Sequence, residues 1–219
     1  FISLAVAEGD RFSVGEIAVE GGGGFSAQDL IALVSMAEGQ FFSRKDLVAS
    51  RSAIEQLLGD HGYAFANVNT ITDIGEDTQR VDFVFAVDPG PLVYVRKINI
   101  SGNQATRDEV IRREVRQLES SVFSAEKIRR SRERIRRLGF FDDVNIETAS
   151  VPGAVDQVDL AISVKERATG NFMFGAGYAD SDGLFLVAEV HRANLFGTGR
   201  ELSFEVEYSK IDQIFDIEY

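Results

Sequence analysis

Cysteine is absent from the 219 residues of the chain. Its absence excludes disulfides, zinc sites built from thiolates and cysteine nucleophiles. Histidine is nearly absent too, since His61 and His191 are the only two and lie far apart. The turn "DSDG" at 180–183 has too few ligands for a calcium loop, and "GGGG" at 21–24 lacks the lysine that follows in a phosphate loop. The sequence therefore predicts a protein that is not an enzyme and needs no cofactor.

Long hydrophobic runs are also missing. No stretch approaches the roughly 18 consecutive apolar residues that a membrane-spanning helix needs. The composition is nevertheless that of a folded protein, with 44% hydrophobic and 26% charged residues. A chain of this length can form one large domain or two to three small ones. We expect folded domains without a helical membrane anchor.

Negative charge dominates the chain as a whole but not its middle. The formal net charge is −12. Between Arg96 and Leu138, however, thirteen basic residues stand against six acidic ones, a net charge of +7, so the remainder carries −19. Nucleic acid is not expected as a partner, because the chain has no recognised nucleic-acid motif and is acidic elsewhere. The basic module is either a solvated helix face or a docking surface for an acidic partner or anionic headgroups.

The chain contains two copies of one unit. "VGEIAVEGG" at 14–22 has the same pattern as "VRKINISGN" at 95–103, 81 residues later. The same shift carries the apolar positions of "SRKDLVASRSAIEQLLG" onto those of "SAEKIRRSRERIRRLG", and after a short insertion "RVDFVFAV" at 80–87 falls on "QVDLAISV" at 157–164. Self-similarity of this kind indicates tandem domains. "ISLAVAEGDRF" fits the same template, so the chain is expected to begin on the last strand of a further copy.

Each copy predicts the order strand, helix, helix, strand, strand, an α+β fold with a small mixed sheet and two helices on one face. The first helices are expected over "AQDLIALVSMA" and "RDEVIRREVRQL". A hydroxyl before a helix can accept a hydrogen bond from a free amide of the first turn. The expected caps are Ser26 and Thr106 for the first helices and Ser43 and Ser124 for the second, which are expected to end at Gly59 and Gly139.

The segment after the second copy follows another pattern. "NFMFGAGYA", "LFLVAEVHRA", "RELSFEVEYS" and "IFDIEY" are separated by short polar links, with no helix between them. Residues 202, 204, 206 and 208 are apolar, whereas the residues between them are polar. Strands of about ten residues with one apolar face are typical of a transmembrane β-barrel wall. The alternative is an ordinary antiparallel sheet on a soluble core. An open sheet of three to four strands cannot close by itself, so we expect it to continue or to be covered.

Several segments together resemble one family. They are "VYVRKINISGN", "RDEVIRREVRQLE", "RIRRLGFFDDVNIET", "VPGAVDQVDLAISVKERATGNFMFGAGY" and "NLFGTGREL". They resemble the BamA family of outer-membrane β-barrel assembly proteins, in its last polypeptide-transport-associated (POTRA) domain and first barrel strands. The resemblance implies that residues 1–10 end a third POTRA domain, 11–90 form a fourth, 91–167 a fifth, and 168–219 begin the barrel.

The same resemblance implies a function. The protein would sit in the bacterial outer membrane with its POTRA domains in the periplasm, receive unfolded outer-membrane β-barrel proteins, and promote their insertion at a barrel seam. Accessory lipoproteins and outer-membrane lipid would be its other partners. Two alternatives stay open. One is a translocation pore of the two-partner-secretion type, against which the partial third copy speaks, and the other is a structural or adhesive repeat with soluble final strands.

The first barrel strand is the main candidate site. Glycine in a strand loses packing and backbone entropy, so pairing around Gly175 and Gly177 is expected to be weak. In the BamA family the edge of this strand is thought to pair with client strands, which carries the role onto Asn171, Phe172, Met173, Phe174, Gly175, Ala176, Gly177 and Tyr178. The alternative is that the glycines relieve crowding or mark a bulge.

Two further surfaces are candidates for binding. An uncovered edge strand can accept an extended peptide through main-chain hydrogen bonds. The candidate edges follow each second helix and include Phe65, Asn67, Val68, Val144 and Ile146, unless charge or a neighbouring domain protects them. By the resemblance, the last POTRA domain docks a helical-repeat lipoprotein, and the matching region contains Arg112, Arg113, Arg116 and Glu119.

Overall fold

The computed structural model describes residues 11–180 and 183–219. The expected strand at residues 1–10 and the middle of the "DSDG" turn lie outside the described residues. The chain divides into two compact units. The first contains the residues up to Tyr94 together with Val122–Glu126, and the second contains Val95–Ser121 and Lys127–Tyr219.

The first copy of the repeat has the predicted order of elements. It consists of β1 (Ser13–Gly21), α1 (Ala27–Ile31), α2 (Arg44–Asp60), β2 (Asn67–Gly75) and β3 (Arg80–Asp88). The strands form a three-stranded sheet in the order β1-β3-β2. Strand β3 runs parallel to β1 and antiparallel to β2. The expectation of a small mixed sheet is therefore confirmed.

The second copy repeats this arrangement. Its elements are β4 (Tyr94–Ser101), α3 (Asp108–Arg112), α4 (Ala125–Arg137), β5 (Phe141–Ser150) and β6 (Gln157–Glu166). The sheet order, β4-β6-β5, is that of the first copy. None of the helices in the described ranges is long and apolar enough to cross a membrane.

A separate antiparallel sheet follows. It is formed by β7 (Gly170–Ala179), β8 (Gly183–Arg192), β9 (Leu202–Tyr208) and β10 (Gln213–Glu218), in the order β10-β9-β8-β7. A single 3₁₀ turn at Leu195–Gly197 lies between β8 and β9. The four strand-like runs of the sequence therefore form one meander, in which each strand pairs with the next.

The alternating residues of the two central strands form the two cores. Within β3 and β6 the apolar side chains point toward the helices, which contribute one apolar stripe each. The buried positions include Val81, Phe83, Phe85 and Val87 in β3, Val158, Leu160, Ile162 and Val164 in β6, Ile54 and Leu58 in α2, and Ile128 and Ile135 in α4. Both copies bury the face that the period-two pattern predicts.

The expected helix boundaries need three corrections. Ser26 and Ser43 cap α1 and α2 through their hydroxyls as predicted. Thr106, in contrast, does not cap α3: Arg107 occupies the N-cap position and makes no side-chain capping bond. Gly59 does not end α2, which continues to Asp60, and the left-handed glycine that follows is Gly62, with φ 104°. The third correction concerns the length of α1 and α3.

Helices α1 and α3 have five residues each, much fewer than predicted, because a buried serine on the second helix ends each of them. After α1 the chain tightens into 3₁₀-type bonds, and the amide of Ser35 then donates to Ser50 Oγ at 2.9 Å. The Ser50 hydroxyl donates in turn to the Asp46 carbonyl at 2.6 Å. After α3 the amide of Arg116 donates to Ser131 Oγ at 2.8 Å. These serines lie 81 residues apart, so the hydrogen bond from the end of the first helix to a serine of the second helix is a feature of the repeat.

Replacing the two buried serines tests this arrangement. We expect Ser50→Ala and Ser131→Ala each to lower the free energy of unfolding by about 1–3 kcal/mol, because each removes the buried hydroxyl that accepts a main-chain amide in a part-buried hydrogen bond. Ser150→Ala removes an exposed hydroxyl of β5 and serves as the matched control. Urea titration followed by circular dichroism measures all three. Equal stability of the buried and exposed variants would contradict the assignment.

Candidate functional site

The four-stranded sheet has two chemically different faces. Residues directly opposite each other on neighbouring strands point to the same side. One such row consists of Phe172, Val190, Phe204 and Ile217, and the next row on that side of Phe174, Ala188, Val206 and Phe215. The opposite side carries Met173, Glu189, Glu205 and Asp216 in a single row. One face is therefore apolar on all four strands, whereas the other places three carboxylates side by side.

The apolar face is open. Phe172 and Phe174 on β7 are 72% and 65% exposed, and Phe215 and Ile217 on β10 are 65% and 67% exposed. Contiguous apolar surface of this kind marks a region that another apolar partner or phase covers. The pairing registers of the strands show that this apolar surface continues across the whole sheet. The alternation within a single strand predicts only that each strand has one apolar side.

Strand β7 also has an unpaired edge within the part of the chain that the structure describes, since it is the last strand of the sheet and pairs only with β8. Its two glycines differ in their surroundings. A Cβ on Gly177 would lie 2.4 Å from Cζ of Phe185, so the absent side chain makes room for that ring. A Cβ on Gly175 would meet nothing within 4 Å. Contact with the Phe185 ring explains why residue 177 is a glycine, but crowding does not explain the glycine at 175.

The candidate residues of the POTRA-like edges are divided between core and surface. Strands β2 and β5 are edge strands, as expected. The side chains of Val68, Val144 and Ile146 are buried, at 1%, 1% and 6% exposure, so only the main chain of these residues is open to a partner. Asn67 begins β2 and is exposed, whereas Phe65 precedes the strand and is 44% exposed.

The two edges are not equally open. On β5, the Ile146 carbonyl already accepts a hydrogen bond from the Arg132 guanidinium of α4, at 3.2 Å. Asp143 on the same strand lies 3.5 Å from Arg136. Strand β2 instead exposes Ile71 and Ile74 at 57% and 55%. The β5 edge is therefore partly occupied by side chains of α4, whereas the β2 edge carries exposed apolar side chains.

The four candidate lipoprotein-docking residues, all exposed, do not form one cluster. Arg112 and Glu119 belong together, because Glu119 Oε1 lies 3.8 Å from Arg112 Nη1 and also accepts the amide of Ile98 at 2.8 Å. Arg113 instead lies against the segment that follows β8. Arg116 lines a groove with basic residues of α4, namely Lys127, Arg130, Arg134 and Arg137.

A carboxylate at the end of β6 organises the segment before α3. Glu166 accepts main-chain hydrogen bonds from Gln104, Ala105 and Thr106, at 3.1, 2.9 and 2.6 Å. Partial burial of Glu166 raises the pKa of its carboxyl, but the hydrogen bonds together outweigh burial and hold that pKa below its usual value. The ionised carboxylate therefore stabilises the folded conformation of this segment.

The loop at 194–199, "NLFGTG", docks on the same segment. Asn194 Nδ2 donates to Thr106 Oγ1 at 2.8 Å, in a buried contact, and Asn194 Oδ1 accepts the amide of Gly199. The amide of Arg107 donates to the Gly197 carbonyl at 3.0 Å. We call the contacts of residues 104–107 with Glu166 and the 194–199 loop the junction. From its sequence this loop is expected only to link two strands, although the two glycines of "NLFGTG" are the signal of its tight geometry.

The sequence profile of the POTRA family, described as "Surface antigen variable number repeat", matches residues 12–90 and again 93–167. The chain belongs to the POTRA family. It is 38% identical over 210 residues to the outer membrane protein assembly factor BamA of Neisseria meningitidis serogroup B. The resemblance to BamA is thus confirmed at the level of homology.

Solved structures agree with this assignment. BamA from Haemophilus ducreyi lacking POTRA domains 1–3 matches with a TM-score of 0.75 and 32% identity, over 91% of this chain and 37% of that one. POTRA domains 3–5 of BamA from Haemophilus influenzae match with a TM-score of 0.65 and 29% identity, over 71% of this chain and 61% of theirs. The alignment with the Neisseria protein covers 95% of this chain but only 26% of that protein. The chain therefore spans about a quarter of that relative's length.

The pH dependence of stability tests the role of Glu166. Because the folded-state pKa lies below the unfolded value of about 4.3, the carboxylate stabilises the fold above that pH. This contribution is lost as the pH falls through the folded-state pKa. We expect Glu166→Gln to lower the free energy of unfolding by about 1–3 kcal/mol at pH 7, and the difference from the unsubstituted chain to vanish in acid.

Asp142→Asn, which removes an exposed carboxylate of β5, is the matched control. Urea unfolding at a series of pH values from 7 to 3 measures the three proteins. A Glu166→Gln difference that stays constant over the whole range would contradict the assigned role.

Proposed function

We propose that this chain is part of an outer-membrane protein assembly factor. In this proposal residues 11–90 and 91–167 are two successive POTRA domains in the periplasm, following the end of another at 1–10, and residues 168–219 begin a barrel in the outer membrane. The proposal is supported by the family of both repeats and by homology to proteins named outer membrane protein assembly factor BamA.

The observation that carries the proposal is the sheet β7–β10. It combines an exposed apolar face on all four strands with a face that bears a row of carboxylates. In water the first face would be a liability, whereas in a barrel wall lipid covers it and the acidic face lines a wet interior. A soluble adhesive repeat would bury that face on its own helices, and here the helices pack on the other two sheets.

The edge of β7 that is unpaired within the described residues supports a mechanism of strand addition. A client strand can pair there through main-chain hydrogen bonds, which are common to all sequences and therefore suit clients of many kinds. Gly175 adds little side-chain packing to this edge, so an incoming strand meets little steric resistance there. The free energy of insertion comes from folding and burial of the client and requires no nucleotide.

The two POTRA-like sheets have different roles in this proposal. The open edge of β2, with its exposed isoleucines, receives an extended client segment. The edge of β5 is less available, since Arg132 and Arg136 of α4 already contact that strand. Arg112 and Glu119 form the pair that docks an accessory lipoprotein, because they share one exposed site at β4, whereas Arg113 and Arg116 belong to other surfaces.

Photocrosslinking tests strand addition at β7. In the whole protein as the cell makes it, a benzoylphenylalanine replaces Phe172, Phe174 or Tyr178 on β7. The control is Phe204, an aromatic residue on the same apolar face but on the internal strand β9, both edges of which are paired. During barrel-protein biogenesis we expect crosslinks to client polypeptides from the three β7 positions and none above background from Phe204.

Two outcomes would contradict the proposal. Equal client crosslinking from Phe204 and the β7 positions would mean that clients touch the face of the sheet and do not add to its edge. Crosslinks from β7 only within the protein itself would mean that this strand is ordinary sheet.

A further inference from the structure

The 194–199 loop holds an aromatic side chain outward. Phe196 is 79% exposed and has a φ of 50°, in the left-handed region that non-glycine residues rarely adopt. Such a conformation costs of order 1–3 kcal/mol and persists only where the surroundings impose it. Here the junction imposes it, since Asn194 and Gly197 on either side are bonded to residues 106 and 107. The loop therefore presents an apolar ring to the surroundings of the described chain, where a partner can contact it.

A cationic pocket is lined in part by the same loop, through Thr198. It has a volume of about 610 Å³ and its charged lining consists of Arg107, Arg113, Arg200 and Glu109, with Val110 and Thr198 completing it. Three guanidinium groups and one carboxylate leave a net charge of +2. Guanidinium groups bind phosphate oxygens through paired hydrogen bonds, so the lining suits a ligand with a single phosphodiester group.

The pocket is held in place by the junction. The amide of Arg107 is bonded to the Gly197 carbonyl, and Arg113 packs so closely on Gly199 that a Cβ there would lie 2.7 Å from its Nη2 atom. Arg200 is held from the other side, with its guanidinium 5.3 Å above the Tyr219 ring. The pocket and the loop that carries Phe196 are thus held by the same contacts, so binding a ligand there costs little ordering.

We propose that this surface binds the headgroup of a glycerophospholipid, with the phosphodiester in the arginine pocket and Phe196 against the glycerol and upper acyl chains. A free anion would use the pocket but leave Phe196 in water, and a neutral lipid would use Phe196 but not the pocket. The site lies at the start of the sheet whose apolar face we assign to the bilayer. The inference rests on the proposed function only for the presence of that bilayer.

The chain contains no tryptophan, so Phe196→Trp introduces a single tryptophan, which can be excited selectively, at the site. The chain bearing this substitution is held in dodecyl maltoside micelles, whose headgroup lacks phosphate. Acyl-brominated phosphatidylglycerol, which quenches tryptophan on contact, is then titrated into the micelles. We expect saturable quenching that acyl-brominated diacylglycerol reproduces only at concentrations at least tenfold higher.

Arginine substitutions in the Phe196→Trp chain locate the phosphate. We expect Arg107→Gln with Arg113→Gln to raise the half-saturating lipid concentration at least tenfold, and each single substitution to raise it about threefold. The matched control is Arg129→Gln with Arg136→Gln, which removes the same charge from the exposed face of α4 and is expected to change it less than twofold. The single variants keep the test valid if the double variant does not fold.

Three results would overturn the proposal. Equal quenching by diacylglycerol and phosphatidylglycerol would indicate apolar contact alone. Complete loss of quenching by phosphatidylglycerol in 20 mM inorganic phosphate, with quenching by diacylglycerol unaffected, would indicate a site for free anions. Equal effects of the pocket and α4 substitutions would indicate general charge attraction. Since no client protein is present, failure here leaves the strand-addition proposal standing, and failure of client crosslinking leaves lipid binding testable.

Discussion

The hydrogen bonds from three successive amides to the ionised carboxylate of Glu166 are the contact on which the arrangement of the second unit depends. It shapes the segment before α3, and that segment then provides the hydroxyl of Thr106 and the amide of Arg107 to which the 194–199 loop is bonded. Glu166 ends β6, and β7 begins four residues later. Residues 104–107 therefore join the α+β core to both ends of the β7–β8 hairpin: through Glu166 to the start of β7, and through the 194–199 loop to the end of β8. The start of the sheet is thereby fixed at two points, which one flexible linker could not achieve.

The sheet itself reconciles two opposing requirements. An antiparallel sheet needs partners along its edges, and an apolar face needs a cover. Within the described residues strand β7 has one open edge, while a phenylalanine ring packs over its Gly177 and the strand pairs with β8 along all ten residues. In the proposed mechanism this edge gives an incoming strand a template that does not have to form anew each time.

Much of the fold could be predicted from periodicity. The shift of 81 residues and the alternation in β3 and β6 predict the elements, the buried faces and the repeat, because burial of one face imposes the period directly. The boundaries of α1 and α3 could not be predicted, since they depend on Ser50 and Ser131, whose hydroxyls take amides from residues 15 positions away. The junction was missed for the same reason: Thr106 suits a helix cap by its sequence position, and only the folded chain brings Asn194, 88 residues later, to its hydroxyl.

The central claim is that the two faces of the β7–β10 sheet meet different phases, and spin-label accessibility tests it most directly. Two variants of the whole protein are made in a cysteine-free background. One carries a single cysteine in place of Phe174, on the apolar face, and the other in place of its neighbour Met173, on the acidic face. Both are spin-labelled and reconstituted in lipid. We predict that a label at 174 collides mainly with dissolved oxygen, which concentrates in lipid, and that a label at 173 collides mainly with a water-soluble nickel chelate. Equal access of the chelate to both positions would contradict it.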